Sequence, residues 1–180
     1  MGKIDESKDF LPVRIAVLTV SDTRDMSEDR SGEVLVGRIE AAGHVLADRM
    51  IVRDERDQIA DQLREWIARD DVDAIITTGG TGLTGRDVTV EAHRDVYEKE
   101  IEAFATVFTM VSMQKIGTSA VQSRATGGVA GGTYLFALPG SPGACRDAWD
   151  EILQWQFDYR HSPCNFVEIM PRLDEHLRRK

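Results

Sequence analysis

Apolar residues along this chain follow two rhythms. Val13–Val20 and Ala74–Ile76 are nearly unbroken apolar runs, the pattern of strands buried on both faces of a parallel sheet. Elsewhere the spacing is three or four residues: Leu35, Ile39 and Ala42 in one stretch, and Ile59, Leu63, Trp66 and Ile67 in another. Such stripes predict amphipathic helices, the first capped by Ser31 and stopped by Gly43. His44–Val52 supplies a further strand. Thr89–Glu100 and Glu102–Lys115 read as helices, the second with Phe104, Val107, Phe108 and Val111 at helical spacing. Thr126–Val129 and Thr133–Leu138 flank Gly131-Gly132, a hairpin signal that puts one antiparallel strand into the sheet. Ala144–Tyr159 closes the pattern as an amphipathic helix, after which His161–Lys180 shows no clear period. Met1–Leu11 reads as a loose polar leader. Strands alternating with helices predict an α/β protein, a three-layer α/β/α sandwich on a mostly parallel mixed sheet, as a single domain over residues 1–180.

Composition narrows the function more than the fold. Against 22 basic residues stand 31 acidic ones, a net charge of −9, which argues against a nucleic-acid surface. An acidic protein that handles anions must do so with backbone donors and a metal ion. The two cysteines, Cys145 and Cys164, lie in different segments and indicate neither a disulfide framework nor a zinc site. No apolar run approaches the ~20 residues of a membrane span, and Met1–Leu11 is too polar for a signal peptide, so the expectation is a cytoplasmic protein without membrane contact.

The third strand runs into Thr78-Gly79-Gly80-Thr81-Gly82-Leu83-Thr84-Gly85-Arg86-Asp87. Glycines there permit positive φ and let a ligand come within hydrogen-bond reach of main-chain N–H groups. Gly80 to Gly85 matches the dinucleotide fingerprint literally, but it follows the third strand, and the acid at the right distance, Glu102, lies in a helical pattern. The same spacing fits a Walker loop, except that Arg86-Asp87 stands where Lys and Ser or Thr are needed. Neither motif survives its context. Loops at the strand ends (Ser21-Asp22, Arg53-Asp54, Gly79–Asp87 and Pro139–Pro142) converge on one edge of such a sheet. They bring Asp22, Asp54 and Asp87 together, with Arg86 and Arg124 the nearest cations. Carboxylates beside a phosphate-friendly loop repel their ligand unless a hard divalent cation bridges them, so the residues point to a Mg²⁺-assisted site for a phosphorylated or nucleotide ligand.

Thr78-Gly-Gly-Thr-Gly82, Arg86-Asp87-Val-Thr89, Ser123-Arg124 and Leu138-Pro-Gly-Ser-Pro142, in that order, resemble the molybdenum cofactor biosynthesis family of the MogA/MoaB type, which includes the gephyrin G domain. The likeness runs from about Val13 to Asn165. Phe108-x-Met110, Ile116–Ser119, Gln122–Arg124 and Pro163–Phe166 are closer to the MoaB branch. The resemblance implies a five-stranded mixed sheet and molybdopterin adenylyltransferase activity, with molybdopterin as substrate, ATP as co-substrate and Mg²⁺ as cofactor. A non-catalytic molybdopterin-binding protein of the same pathway is the alternative.

By motif match, Asp54 and Asp87 become the catalytic and metal-holding carboxylates. Thr78, Gly79, Gly80, Thr81 and Gly82 cradle the ligand, joined by Ser21 and Asp22, by Pro139, Gly140, Ser141 and Pro142, and by Ser123 and Arg124, which are implied to reach the pterin or its phosphate. Arg53 stands where the family usually has proline. A homo-trimer, in some members a hexamer, is the implied assembly, with other proteins of cofactor assembly as implied partners. Phe104, Phe108, Met110 and Met113 fit that assembly as an apolar patch to be covered.

Overall fold

The computed structural model describes residues 3–178. The chain runs β1 (Lys3–Ile4), β2 (Arg14–Val20), α1 (Arg30–Ala41), β3 (Val45–Val52), α2 (Arg56–Ile67), β4 (Ala74–Thr78) and α3 (Thr89–Arg94). It continues through β5 (Lys99–Glu100), α4 (Glu102–Ile116), a 3₁₀ segment Gly117–Gln122, β6 (Thr126–Ala130), β7 (Thr133–Leu138), α5 (Pro142–Ala148) and β8 (His161–Ser162), with short helical turns over the tail. The main sheet has the order β3-β2-β4-β7-β6-β5. Its first four strands are parallel, whereas β6 runs antiparallel to β7 and β5 antiparallel to β6.

Both apolar runs lie in the middle of the sheet, and each feeds two cores. Ile15 and Val17 of β2 join Ala74 and Ile76 of β4 under α1, α4 and α5, while Ala16, Leu18 and Ile75 face Ile59, Leu63 and Trp66 of α2. Burial of every one of these side chains is complete. This two-sided burial is the reason the strands show no polar alternation. On the α2–α3 side, His93 is held by Thr77 Oγ1 at 2.8 Å and by the Tyr97 hydroxyl at 3.2 Å. Burial keeps its imidazole neutral, lowering its pKa to about 3.

Several expectations give way to the structure. A sixth strand replaces the end of the helix expected over Thr89–Glu100: the helix stops at Arg94, and Lys99–Glu100 pairs with Gly128–Val129. Gly128 permits this, since any side chain there would collide with the Tyr97 ring. Asp29 rather than Ser31 caps α1, its carboxylate accepting from Gly32 N at 2.9 Å while Thr19 Oγ1 donates to it at 2.7 Å and Arg49 at 3.0 Å. The helix expected over Ala144–Tyr159 starts at Pro142, passes through a π segment at Trp149–Leu153 and ends at Gln156.

From Lys3 onward the expected loose leader is tied down, because Lys3–Ile4 pairs with His161–Ser162 and the Phe10 ring lies 5.1 Å from that of His44, while Met1 and Gly2 lie outside the described residues. Of the four residues expected to form one apolar patch, Phe104 and Phe108 turn into the core and only Met110 and Met113 face outward. Val107 and Ile116 of α4 are exposed beside them in sequence. No helix of the described residues is long and apolar enough to cross a membrane.

Candidate functional site

The carboxyl ends of β2, β4 and β7 are stitched so tightly that only glycine fits between them. Gly79 N donates to Leu138 O at 3.0 Å, and a Cβ on Gly79 would strike Val20 O. With φ at +101°, that residue is in any case in a region that side chains avoid. Gly80 follows at φ +62°, and a Cβ there would meet Asp54 Oδ1 at 2.6 Å, and Thr89 Oγ1 closer still. On the other flank Gly140 approaches Gly79, so that a Cβ on Gly140 would be 3.1 Å from Gly79 Cα. The glycines thus set an order along the floor: Gly140, then Gly79, then Gly80 beside Asp54, then Gly82 beside Asp87.

Above this floor opens a cleft of ≈ 550 Å³. Ser21, Asp54, Gly79, Gly80, Thr81, Gly82, Asp87, Ser123, Pro139, Gly140 and Ser141 line it, which is most of the set singled out in the sequence. A hollow of ≈ 510 Å³ elsewhere, lined by Phe104, Val107, Trp155 and Phe166, is apolar and has no glycine cradle.

Four expected site residues do not line the cleft. Thr78 is buried, its hydroxyl 3.1 Å from Pro139 O and 3.2 Å from Cys145 Sγ, where it holds the next loop in place. Pro142 opens α5, behind Ser141, whose Oγ accepts from Ala144 N at 3.1 Å. Asp22 is turned aside by Arg86, which donates to both of its oxygens at 3.0 Å and also reaches Glu55 at 2.9 Å. Arg86 thereby joins three loops and lowers the Asp22 pKa below the usual carboxylate range.

Arg124 is also spent internally. Its Nε donates to Thr81 O at 2.9 Å and Gly82 O at 3.0 Å, its Nη2 to Asp87 O at 3.1 Å, and its Nη1 pairs with Glu91 at 2.5 Å. It is a clamp on the glycine loop. Several of the loop's own amides are committed as well, Gly79 N to Leu138 O at 3.0 Å and Thr84 N to the Asp87 carboxylate at 2.8 Å.

Asp54 and Asp87 face the cleft with pKa values shifted in opposite directions. The Asp87 carboxylate accepts from Thr84 Oγ1 at 2.6 Å and Thr84 N at 2.8 Å, bonds that hold its pKa below the ordinary value. No side chain donates to the Asp54 carboxylate among the described residues, and the Asp22 backbone and the Arg86 charge favour its ionised form only in part. Burial, with Asp22 and Asp87 nearby, pushes its pKa up. The described residues contain no group of three His, Cys, Asp or Glu able to hold a metal by themselves. Two carboxylates fit Mg²⁺ nevertheless, since that ion keeps several waters and takes its remaining ligands from substrate phosphates.

Thr23, Arg24 and Gln122 also line the cleft and were not among the expected site residues. Arg24 had a signal of its own, a basic residue directly beyond Ser21-Asp22 at the end of a buried strand.

Known proteins resemble this chain in sequence and in fold. Residues 16–158 match the family described as a probable molybdopterin binding domain. The molybdenum cofactor biosynthesis protein B of Escherichia coli (strain K12) is 48% identical over 160 residues, covering 89% of this chain and 94% of that protein. A crystal structure of a molybdenum cofactor biosynthesis protein B superposes with a TM-score of 0.84 at 36% identity, over 93% of this chain and 99% of that one. The tungsten cofactor synthesizing protein MoaB of Pyrococcus furiosus gives 0.70 at 29% identity, over 93% and 98%.

Proposed function

The chain belongs to the molybdopterin-binding domain family of molybdenum cofactor biosynthesis, and from that premise we propose that it is a Mg-ATP-dependent molybdopterin adenylyltransferase. The observation that carries this reading is the placing of Asp54 and Asp87 at successive glycines of one cleft floor. In the reaction, an oxygen of the terminal molybdopterin phosphate forms a bond to the α-phosphorus of ATP. The bond from that phosphorus to the β-bridging oxygen breaks, and pyrophosphate leaves with the electron pair.

Mg²⁺, when bound, supplies positive charge to offset what develops on the transferring and leaving phosphates. Asp54 and Asp87 would hold it. The amides of Gly80 and Thr81, on the loop fixed by the Arg124 clamp, would donate to the phosphate oxygens and need not reorganise during transfer. Ser21 Oγ is already occupied with the turn, accepting from Thr23 N at 3.3 Å and Arg24 N at 3.1 Å, so its contribution is to shape the wall.

A binding-only protein of the same pathway is the second reading. Two facts favour it: Arg86, half of the Arg-Asp pair, is committed to Asp22 and Glu55, and the described residues offer no three-carboxylate metal group. Incubation with molybdopterin and Mg-ATP, with pyrophosphate measured, decides between the two. The adenylyltransferase releases pyrophosphate in step with molybdopterin consumed, whereas the binder retains molybdopterin and releases none. The exposed α4 residues Val107, Met110, Met113 and Ile116 are proposed to be covered in a homo-trimer, which light scattering at micromolar concentration would detect.

A further inference from the structure

Arg24, Arg86 and Arg124 stand on or beside the loops of the cleft, and their commitments differ. Arg86 is paired with Asp22 and Glu55. Arg124 is paired with Glu91 and bound to three loop carbonyls. Arg24 is exposed and lines the cleft, and among the described residues it forms no ion pair. Its sole hydrogen bond from the guanidinium is a long one, Nη1 to Gly140 O at 3.3 Å. In a chain of net charge −9, most exposed arginines near acids are drawn to them, and one left open at the mouth of a cleft is available to an incoming anion.

Arg24 also stands at a defined place in the cleft. It contacts Gly140 at one end of the glycine floor, whereas Asp54 and Asp87 lie at Gly80 and Gly82 towards the other. The cleft is therefore polar along its length, with a fixed cation at one end and two carboxylates at the other. A nucleotide triphosphate arrives with its own metal ion and suits the carboxylate end. A terminal monoester phosphate carries about two negative charges and brings no metal, so it needs a fixed cation. Placing attacking and leaving oxygens on opposite sides of the transferring phosphorus, as in-line displacement requires, is what this polarity achieves.

Resting on the adenylyl-transfer reading for the identity of its ligand, we propose that Arg24 binds the terminal phosphate of molybdopterin and so orients the attacking oxygen. Planar pairing of guanidinium with phosphate needs only a side-chain rotation away from Gly140 O.

The test is equilibrium binding of molybdopterin, and separately of Mg-ATP, to the wild type, Arg24→Gln and Arg24→Lys, repeated with molybdopterin from which phosphatase has removed the terminal phosphate. Arg24→Gln should weaken molybdopterin binding by about tenfold to a hundredfold, leave Mg-ATP binding unchanged, and bind the dephosphorylated ligand as the wild type does. Arg24→Lys should recover part of the loss. Equal weakening towards both forms of the ligand, or no weakening at all, would overturn the proposal. Failure of the wild type to bind molybdopterin would overturn it as well. A phosphate-dependent loss in a protein that never releases pyrophosphate would leave Arg24 in place and refute only the transferase reading.

Discussion

Two loops deliver the two cleft carboxylates, and they do so in contrasting ways. Asp87 ends a loop that is bound at every turn, by Thr84 through its side chain and by Arg124 through its backbone. Asp54 sits on the short connection after β3, where its amide reaches Asp22 Oδ1 at 3.3 Å and its carboxylate is left with like charges nearby. Asp87 has a structural duty beside the functional one proposed for it. Burial disfavours the charged Asp54, the Asp22 backbone and the Arg86 charge offset that only in part, and such a cost is expected where charge is kept for a ligand.

The largest expected effects are on turnover. Asp54→Asn and Asp87→Asn should each lower single-turnover pyrophosphate release by about a hundredfold or more, on the order of 3 kcal/mol, with molybdopterin affinity little changed. If both acids act through one metal ion, the double variant should lose less than the sum. Full turnover in either single variant would break the comparison at its functional end.

Next comes the clamp. Arg124→Ala strips partners from Thr81 O, Gly82 O and Asp87 O and leaves Glu91 unpaired, so equilibrium unfolding should show a loss of about 2 kcal/mol, tempered by partial exposure. Glu91→Gln should cost less. Urea unfolding that matches the wild type would show that the loop holds its shape unaided.

Smaller effects separate the carboxylates by stability and pH. Asp87 has a lowered pKa, so its contribution is present above the ordinary carboxylate range and is lost as pH falls through its folded value. Asp87→Asn should cost up to about 1 kcal/mol at neutral pH, since one Thr84 bond is weakened in a half-exposed setting. Asp54 has a raised pKa, so the sign reverses: its contribution is present below the ordinary range and is lost as pH rises through its folded value. Asp54→Asn should therefore equal or slightly exceed the wild type in stability at neutral pH, an advantage that disappears in acid. Urea midpoints at two pH values check both signs.

The same contrast explains what was legible in the sequence. Val13–Val20 and Ala74–Ile76 announce central strands because two-sided burial leaves no room for polar residues, and four glycines in seven announce a close approach whatever the neighbours are. Lys99–Glu100 gives no such sign. Its pairing depends on Gly128 yielding space to Tyr97, a fact about a strand some 30 residues away. Cap choice at Asp29 rests likewise on Thr19 and Arg49, which only the folded sheet brings near. Among site residues, the backbone cradle was readable because glycine's role is local. Which way an arginine turns is not local: Arg86 and Arg124 turn inward to loop partners, and Arg24 was passed over although it lines the cleft.

The central claim is that the charge on Asp54 is held in reserve for a metal-bound phosphate. Titration of its carboxyl carbon by NMR, in the free protein and with Mg-ATP, tests this most directly. The account predicts a pKa above the ordinary aspartate value in the free protein and a fall below it when Mg-ATP binds. A pKa that stays raised with Mg-ATP in place would contradict it.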